Sequence, residues 1–173
     1  MKSTILKYGL RAFATMLVLF VLAFLLGKGQ SYTVQEILGY LTIVISLSLV
    51  YFAIRHYRDE VNGGQLSFGQ GLWLGVIISA CAGIGSAIAD AIYTTVIYPD
   101  FITEYTQHEL DKMKASLPPA EFETASAELL AQIEWMGNPA MLAIVMFVTV
   151  LLIGFIVSLV SSLLLRSQAP SGT

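Results

Sequence analysis

The chain has 173 residues, of which 56% are hydrophobic and only 12% are charged, and its formal net charge is −3. Soluble domains usually carry about a quarter charged residues, so this composition excludes an ordinary soluble domain and indicates a membrane protein. The 9 basic side chains form no basic stripe, so we expect no nucleic-acid partner, and a single cysteine, Cys81, excludes an intramolecular disulfide and a cysteine-rich metal site.

Four apolar segments are each near the roughly 20 residues that a helix needs to cross the hydrocarbon core of a bilayer. We therefore predict an all-α fold, a four-helix transmembrane bundle. Its spans cover residues 5–27, 37–54, 69–98 and 139–165, within a single membrane domain at 1–167 that precedes a disordered tail at 168–173. A cleaved signal peptide is the alternative for the first span, but it requires small residues at a cleavage site, and FLLGKGQSYT has no such pattern.

Helix start signals precede the last three spans. A capping box pairs a Ser or Thr N-cap with Glu or Gln three residues later, and Pro is favoured at the first helical position. These patterns occur at Thr33 with Glu36, Ser67 with Gln70, and Asn138 with Pro139. We expect the three helices to begin at these residues.

The segment YRDEVNGGQLSFGQGLWLG, residues 57–75, joins the second and third spans. Glycine can end the second helix because it adopts the left-handed conformation, and a basic side chain suits the negative end of the helix dipole. We interpret the segment as a structural turn, and a docking or substrate-binding turn on the cytoplasmic face is the alternative. The residues of this turn motif are Tyr57, Arg58, Asp59, Gly63, Gly64 and Ser67.

Small residues recur every four positions along the third span, and a similar series begins in the fourth. In lipid, small residues at this spacing let two helix backbones approach closely. The predicted helix-packing residues are Gly71, Gly75, Ser79, Gly83 and Gly154. The sequence permits either packing within the chain or homodimerisation through this stripe.

The segment at 99–137 holds eight acidic residues against two lysines, a local charge near −6. Its second half places Phe122, Leu129 and Ile133 on one helix face, and SLPPAEFE interrupts it in the middle. We expect an extracytoplasmic helical hairpin between the third and fourth spans, with its corner at Pro118 and Pro119.

Orientation follows from the basic residues that flank the spans, because Lys and Arg are retained on the cytoplasmic side. One side has Lys2, Lys7, Arg11, Arg55, Arg58 and Arg166, and the other has Lys28, Lys112 and Lys114. We expect both termini in the cytoplasm and the segment at 99–137 outside.

A resemblance to a known family rests on ordered motifs over nearly the whole chain. YRD and NGGQLSFGQGLWLG are followed by IYPDF, by an acidic segment, and by a last helix that opens at NPA and contains IGFIVSLVSSLLL. This combination resembles the bacterial membrane-protein family catalogued as domain of unknown function 4199. The resemblance implies a four-helix inner-membrane protein of Bacteroidetes-type bacteria, and it implies no activity or ligand.

Asp90 is the one acidic residue inside an apolar span. A charge in hydrocarbon is costly, so an intramembrane carboxylate is a candidate ion or proton site. Because Asp90 precedes Pro99 by only nine residues, we expect an interfacial carboxylate, partly hydrated and bonded to a neighbouring hydroxyl or tyrosine, and the ion or proton site is the alternative. Asp90 is therefore the candidate intramembrane polar site.

Other signals for chemistry are few. Glu104, His108 and Asp111 have spacings of four and three and could bind a metal weakly, although an acidic solvated helix gives the same pattern by chance. No zinc-protease signature, nucleotide loop or serine-activating histidine is evident in the sequence. We expect no enzyme activity, no metal and no cofactor.

These observations predict a non-enzymatic multi-pass protein that works by packing or by partner binding. Its partner would be a second copy of the chain or an unidentified membrane protein, with the acidic hairpin as the recognition surface. The alternative is a small oligomeric transporter or channel subunit that uses Asp90.

Overall fold

The computed structural model of the protein describes residues 1–167. The predicted disordered tail at 168–173 lies outside the described residues. Six α-helices follow in chain order: α1 (Lys2–Gly27), α2 (Tyr32–His56), α3 (Phe68–Ile92), α4 (Phe101–Ser116), α5 (Pro119–Met136) and α6 (Pro139–Leu165). All regular structure in the described part of the chain is helical, which confirms the all-α prediction.

Four of these helices, α1, α2, α3 and α6, are long and apolar enough to cross a membrane. This confirms the prediction of four long apolar candidate spans, although three of the helices begin earlier than expected, α3 by one residue. α1 begins at Lys2 rather than residue 5, and α2 begins at Tyr32 rather than residue 37. The helices extend past the apolar segments because polar residues continue a helix wherever no Gly or Pro stops it.

α2 and α3 each continue into a five-residue π-helical turn, at Tyr57–Val61 and Tyr93–Ile97. The amide of Asn62 donates to the carbonyl of Tyr57 at 2.9 Å, and the amide of Tyr98 donates to that of Tyr93 at 2.7 Å. A π-helical turn holds one residue more between its bonded groups than an α-turn, so it redirects the side chains that follow. Neither turn was predicted from the sequence.

The helix starts agree with two of the three predicted caps. Ser67 and Gln70 form the capping box of α3, and the side chain of Asn138 accepts from the amide of Ala140 at 2.9 Å. The capping box at Thr33 and Glu36 was wrong, because Ser31 is the N-cap of α2 and its side chain makes no capping hydrogen bond.

α3 is the central helix of the bundle, with its most extensive contacts to α6 and the next to α1. A Cβ atom on Gly75 would lie 2.7 Å from Ser158 Cβ, and one on Gly71 would lie 2.7 Å from Ser162 Oγ. Since residue numbers rise along one helix as they fall along the other, α3 and α6 run antiparallel. Gly154 meets Ser79 in the same interface.

Another side of α3 packs on α1, and these two helices run parallel. A Cβ atom on Gly85 would lie 2.7 Å from the backbone oxygen of Phe13, and one on Gly9 would lie 3.0 Å from Cys81 Sγ. α2 completes the ring through contacts with α1 and α6. The core between the four helices includes Met16, Leu47, Ile54, Leu74 and Ile78.

α4 and α5 lie apart from this core. The break between them falls at Leu117 and Pro118, next to the predicted corner, and neither helix contains a buried residue. The two helices contact each other, and α5 also contacts α6. The end of the bundle from which α4 and α5 project is called the cleft end, because it contains the cleft described below. The opposite end holds residues 57–67 and is called the turn end.

Candidate functional site

The turn motif lies at the turn end, where it folds onto the end of α6. Gly63 and Gly64 have φ values of 61° and 81°, so the left-handed conformation expected of glycine occurs at both positions. The ring of Tyr57 is buried. Arg58 Nε donates to Asp59 Oδ1 at 2.6 Å, and Arg58 Nη1 donates to the carbonyl of Leu165 at 3.4 Å.

Ser167 holds this turn through three further hydrogen bonds. Its hydroxyl donates to the carbonyl of Gly64 at 2.8 Å and accepts from the amide of Leu66 at 3.0 Å, and its own amide donates to the carbonyl of Leu66 at 3.0 Å. The polar backbone of the turn is therefore bonded within the chain. The structural and the docking interpretations of the motif both stay predictions.

Asp90 lies in α3 near the cleft end, within the candidate span Phe68–Ile97. Its carboxylate oxygen Oδ2 is buried and has no hydrogen-bond partner among residues 1–167. The buried hydroxyl of Ser86, one turn earlier, donates instead to the carbonyl of Gly83 at 2.8 Å. The neighbouring hydroxyl or tyrosine that we expected to bond this carboxylate is thus not found in the described part of the chain.

A chain of aromatic rings joins four elements at the cleft end. Phe24 of α1 stacks on Tyr93 with ring centroids 3.9 Å apart, and Tyr93 contacts Phe101 at 5.3 Å. Phe101 stacks on Tyr105 at 6.0 Å, and Tyr105 contacts Tyr32 of α2 at 5.6 Å. Apart from the closer Phe24–Tyr93 pair, these contacts have separations within the roughly 4.5–7 Å that aromatic pairs prefer. They fix the start of α4 against the ends of α1, α2 and α3.

A cleft of about 350 Å³ opens beside these rings, between α2 and α4. We call it the aromatic cleft. Its ring-bearing lining residues are Phe24, Tyr32, Phe101, Tyr105 and His108, and its charged ones are Glu36, Glu109 and Lys112. Lys112 Nζ lies 3.6 Å from Glu109 Oε1. The space is large enough for one small molecule or headgroup.

Tyr98 and Tyr105, which lie outside the candidate spans, have raised pKa values. Burial raises the pKa of Tyr105, and the carboxylates of Glu109 and Glu36 raise it further. Tyr98 donates a hydrogen bond to Glu104, which raises the pKa of Tyr98 to about 12. Tyr105 and Tyr98 thus each lie near a carboxylate at the cleft end.

The three residues considered for a metal have separate partners. Glu104 accepts from Tyr98, the ring of His108 lies 4.5 Å from that of Tyr32, and Asp111 accepts from Gln107 Nε2 at 3.0 Å. Within residues 1–167, no group of three or more His, Cys, Asp or Glu side chains is arranged to hold a metal ion.

The aromatic cleft was not predicted from the sequence. Its walls come from α2 and α4, and Tyr32 and Tyr105 are far apart in the sequence, so no local spacing connects them. The available signal was the density of aromatic residues between Tyr93 and Tyr105, four within thirteen residues.

Comparison with known proteins identifies one family. The family model described as "Protein of unknown function (DUF4199)" matches residues 7–167, nearly the whole chain. No curated protein and no solved structure matches the chain.

Proposed function

We propose that this chain, which belongs to the DUF4199 family of unknown function, is a non-enzymatic multi-pass protein that binds a partner through α4 and α5. One observation carries the proposal. The four spans pack on one another, whereas α4 and α5 contain no buried residue and so contribute nothing to the core. Two charged helices outside the core are best explained as a surface for recognition.

The proposed location is the inner, cytoplasmic membrane, with both termini in the cytoplasm and the segment at 99–137 outside. The clustering of charge supports this orientation. Arg55 and Arg58 lie at the turn end with Arg166, and Lys28 and Lys112 lie at the cleft end. Since basic residues are retained on the cytoplasmic side, the turn end faces the cytoplasm in this proposal.

The exposed surface of α5 carries several acidic side chains and one large aromatic side chain, Trp135. Trp135 is 63% exposed, and Glu121, Glu128 and Glu134 of the same helix are also exposed. Tryptophan is enriched among the residues that dominate binding energies at interfaces. We therefore place the centre of the partner contact at Trp135, and the partner is another membrane protein or a second copy of the chain.

A photoreactive amino acid at position 135 tests this proposal in cells. The matched control is the same amino acid at position 73, because Trp73 is 62% exposed but lies in α3, on the apolar bundle. We expect a discrete protein adduct from position 135 alone. Glutamine at Glu121, Glu123, Glu128 and Glu134 should then reduce that adduct. Identical adducts from both positions, or none from position 135, would contradict the proposal.

The buried, unpartnered oxygen of Asp90 supports one alternative, a small oligomeric transporter or channel subunit. An intramembrane carboxylate without a partner is a candidate cation or proton site. Flux into proteoliposomes distinguishes the two functions. A cation or proton flux that Asp90→Asn abolishes would favour the transporter, and equal background flux for both proteins would favour partner binding.

A further inference from the structure

The aromatic cleft brings aromatic rings and carboxylates into one partly enclosed space. The ring of Tyr32 lies 5.6 Å from that of Tyr105 and 4.5 Å from that of His108. The face of an aromatic ring carries negative potential and attracts an ammonium group placed within about 6 Å of its centroid. Glu36 on α2 and Glu109 on α4 add carboxylates to two walls of the same space.

The charges of the cleft do not cancel. Lys112 lies 3.6 Å from Glu109, and these two charges offset each other. Glu36 is exposed and forms no ion pair with another residue of the described chain. The cleft therefore has one carboxylate in excess, which favours a ligand with a single positive charge.

The lining also distinguishes an organic cation from a metal ion. Hard divalent cations take about six oxygen ligands, and the cleft presents two carboxylates that come from different helices and are surrounded mostly by carbon. An alkylammonium ion has both a charge for Glu36 and carbon surface for the rings. The volume of about 350 Å³ is near the lower end of the roughly 300–1,000 Å³ typical of ligand pockets, so the ligand is small.

We propose that the aromatic cleft binds an organic ammonium ion, either a free amine or the headgroup of a zwitterionic lipid. Tyr32, Tyr105 and His108 contact its carbon surface, and Glu36 neutralises its charge. This inference rests on the proposed function, because α4 forms one wall of the cleft and belongs to the recognition surface.

Calorimetric titration of the full chain in detergent at pH 8 tests the charge requirement. The probes are choline and its neutral isostere 3,3-dimethyl-1-butanol, which has the same shape without the charge. We expect choline to bind at least about tenfold more tightly than the isostere, because the cation–π attraction requires the charge. Equal binding of the two probes would overturn the inference.

Two variants and one control locate the site. Glu36→Gln should weaken choline binding about fivefold or more without unfolding the chain, because it removes the uncompensated charge from an exposed side chain. Tyr105→Leu should weaken it by a similar factor through loss of a ring face. Glu60→Gln removes an exposed charge at the turn end, away from the cleft, and should leave choline binding unchanged. Undiminished binding by Glu36→Gln and Tyr105→Leu would also overturn the proposal.

Binding measurements in lipid nanodiscs distinguish a lipid headgroup from a free amine as the ligand. In nanodiscs of phosphatidylglycerol, choline should bind as it does in detergent. If added phosphatidylethanolamine competes with choline, a lipid headgroup occupies the cleft, and if it does not, the ligand is a free amine. If choline does not bind but the photoreactive amino acid at position 135 still forms its protein adduct, the ammonium site is refuted and the proposed function stands.

Discussion

At the scale of single residues, Asp90 places a carboxylate among the small side chains of α3, next to Ala89 and Ala91. Its buried Oδ2 accepts no hydrogen bond from residues 1–167. A buried polar group without a partner costs about 1–3 kcal/mol, whereas the hydroxyl of Ser86 avoids this cost by bonding to a backbone carbonyl. A substitution at Asp90 can measure this cost.

Asp90→Asn should leave the free energy of unfolding unchanged or raise it by about 1 kcal/mol, since it keeps the shape and removes a buried charge. Thermal unfolding in detergent measures the change, with Glu128→Gln on exposed α5 as the control. A loss of more than about 2 kcal/mol would show that the carboxylate has a partner. That result would remove the observation on which the transporter alternative rests, the unpartnered oxygen.

Capping residues show what the sequence can predict at this scale. Ser67 with Gln70, and Asn138, stand directly before their apolar helices, so the pattern and the structure agree. Before α2, Ser31 and Thr33 both qualify as N-caps, and only tertiary contacts decide between them. The helix begins after Ser31, which leaves Glu36 without a capping role and available to line the aromatic cleft.

At the scale of helices, α3 contacts α6 and α1 through two different surfaces. The small residues at every fourth position of α3, which the sequence shows, contact α6. The contact of α3 with α1 uses Gly85, which lies outside that series and approaches the backbone of Phe13. The sequence did not indicate this second interface, because one isolated glycine has no period. The π-helical turns were missed for a similar reason, since no local residue pattern specifies an i to i+5 bond.

Gly75→Ala should destabilise the bundle by about 1–3 kcal/mol, the usual cost of overpacking. The new Cβ would lie 2.7 Å from the Cβ of Ser158, so α3 and α6 must move apart. Gly69→Ala is the matched control in the same helix, because a Cβ atom there would have nothing within 4 Å. It should be neutral or slightly stabilising. Equal melting temperatures for both variants would argue against close packing of α3 and α6.

Ser167→Ala should loosen the turn at residues 62–67, because it removes one hydrogen bond to Gly64 and one from Leu66. Each such bond contributes about 0.5–1.5 kcal/mol. Amide hydrogen exchange of the turn should become several-fold faster, while exchange in α4 stays the same. Ser116→Ala serves as the control, because its hydroxyl bonds only within α4. Unchanged exchange at the turn would show that Ser167 does not hold it.

At the scale of the whole molecule, the number of spans and their order could be predicted because hydropathy and length determine which helices cross a bilayer. That α4 and α5 are two separate helices could also be predicted, from the break at Pro118 and the apolar face around Leu129. The aromatic cleft could not, because it depends on where α4 lies relative to α2. That position is set by ring contacts between Tyr32 and Tyr105, which are 73 positions apart.

Orientation in the membrane decides from which side of the membrane a ligand or partner reaches α4 and α5. We predict that Ser116→Cys reacts with a membrane-impermeant maleimide in intact cells and that Ser3→Cys reacts only after permeabilisation. Both positions are exposed, at opposite ends of the bundle, and Cys81→Ala removes the native thiol. The physical reason is the excess of Lys and Arg at the turn end. Labelling of Ser3→Cys alone in intact cells would reverse the orientation and place the aromatic cleft in the cytoplasm, where its ligand would have to be a cytoplasmic amine or an inner-leaflet headgroup.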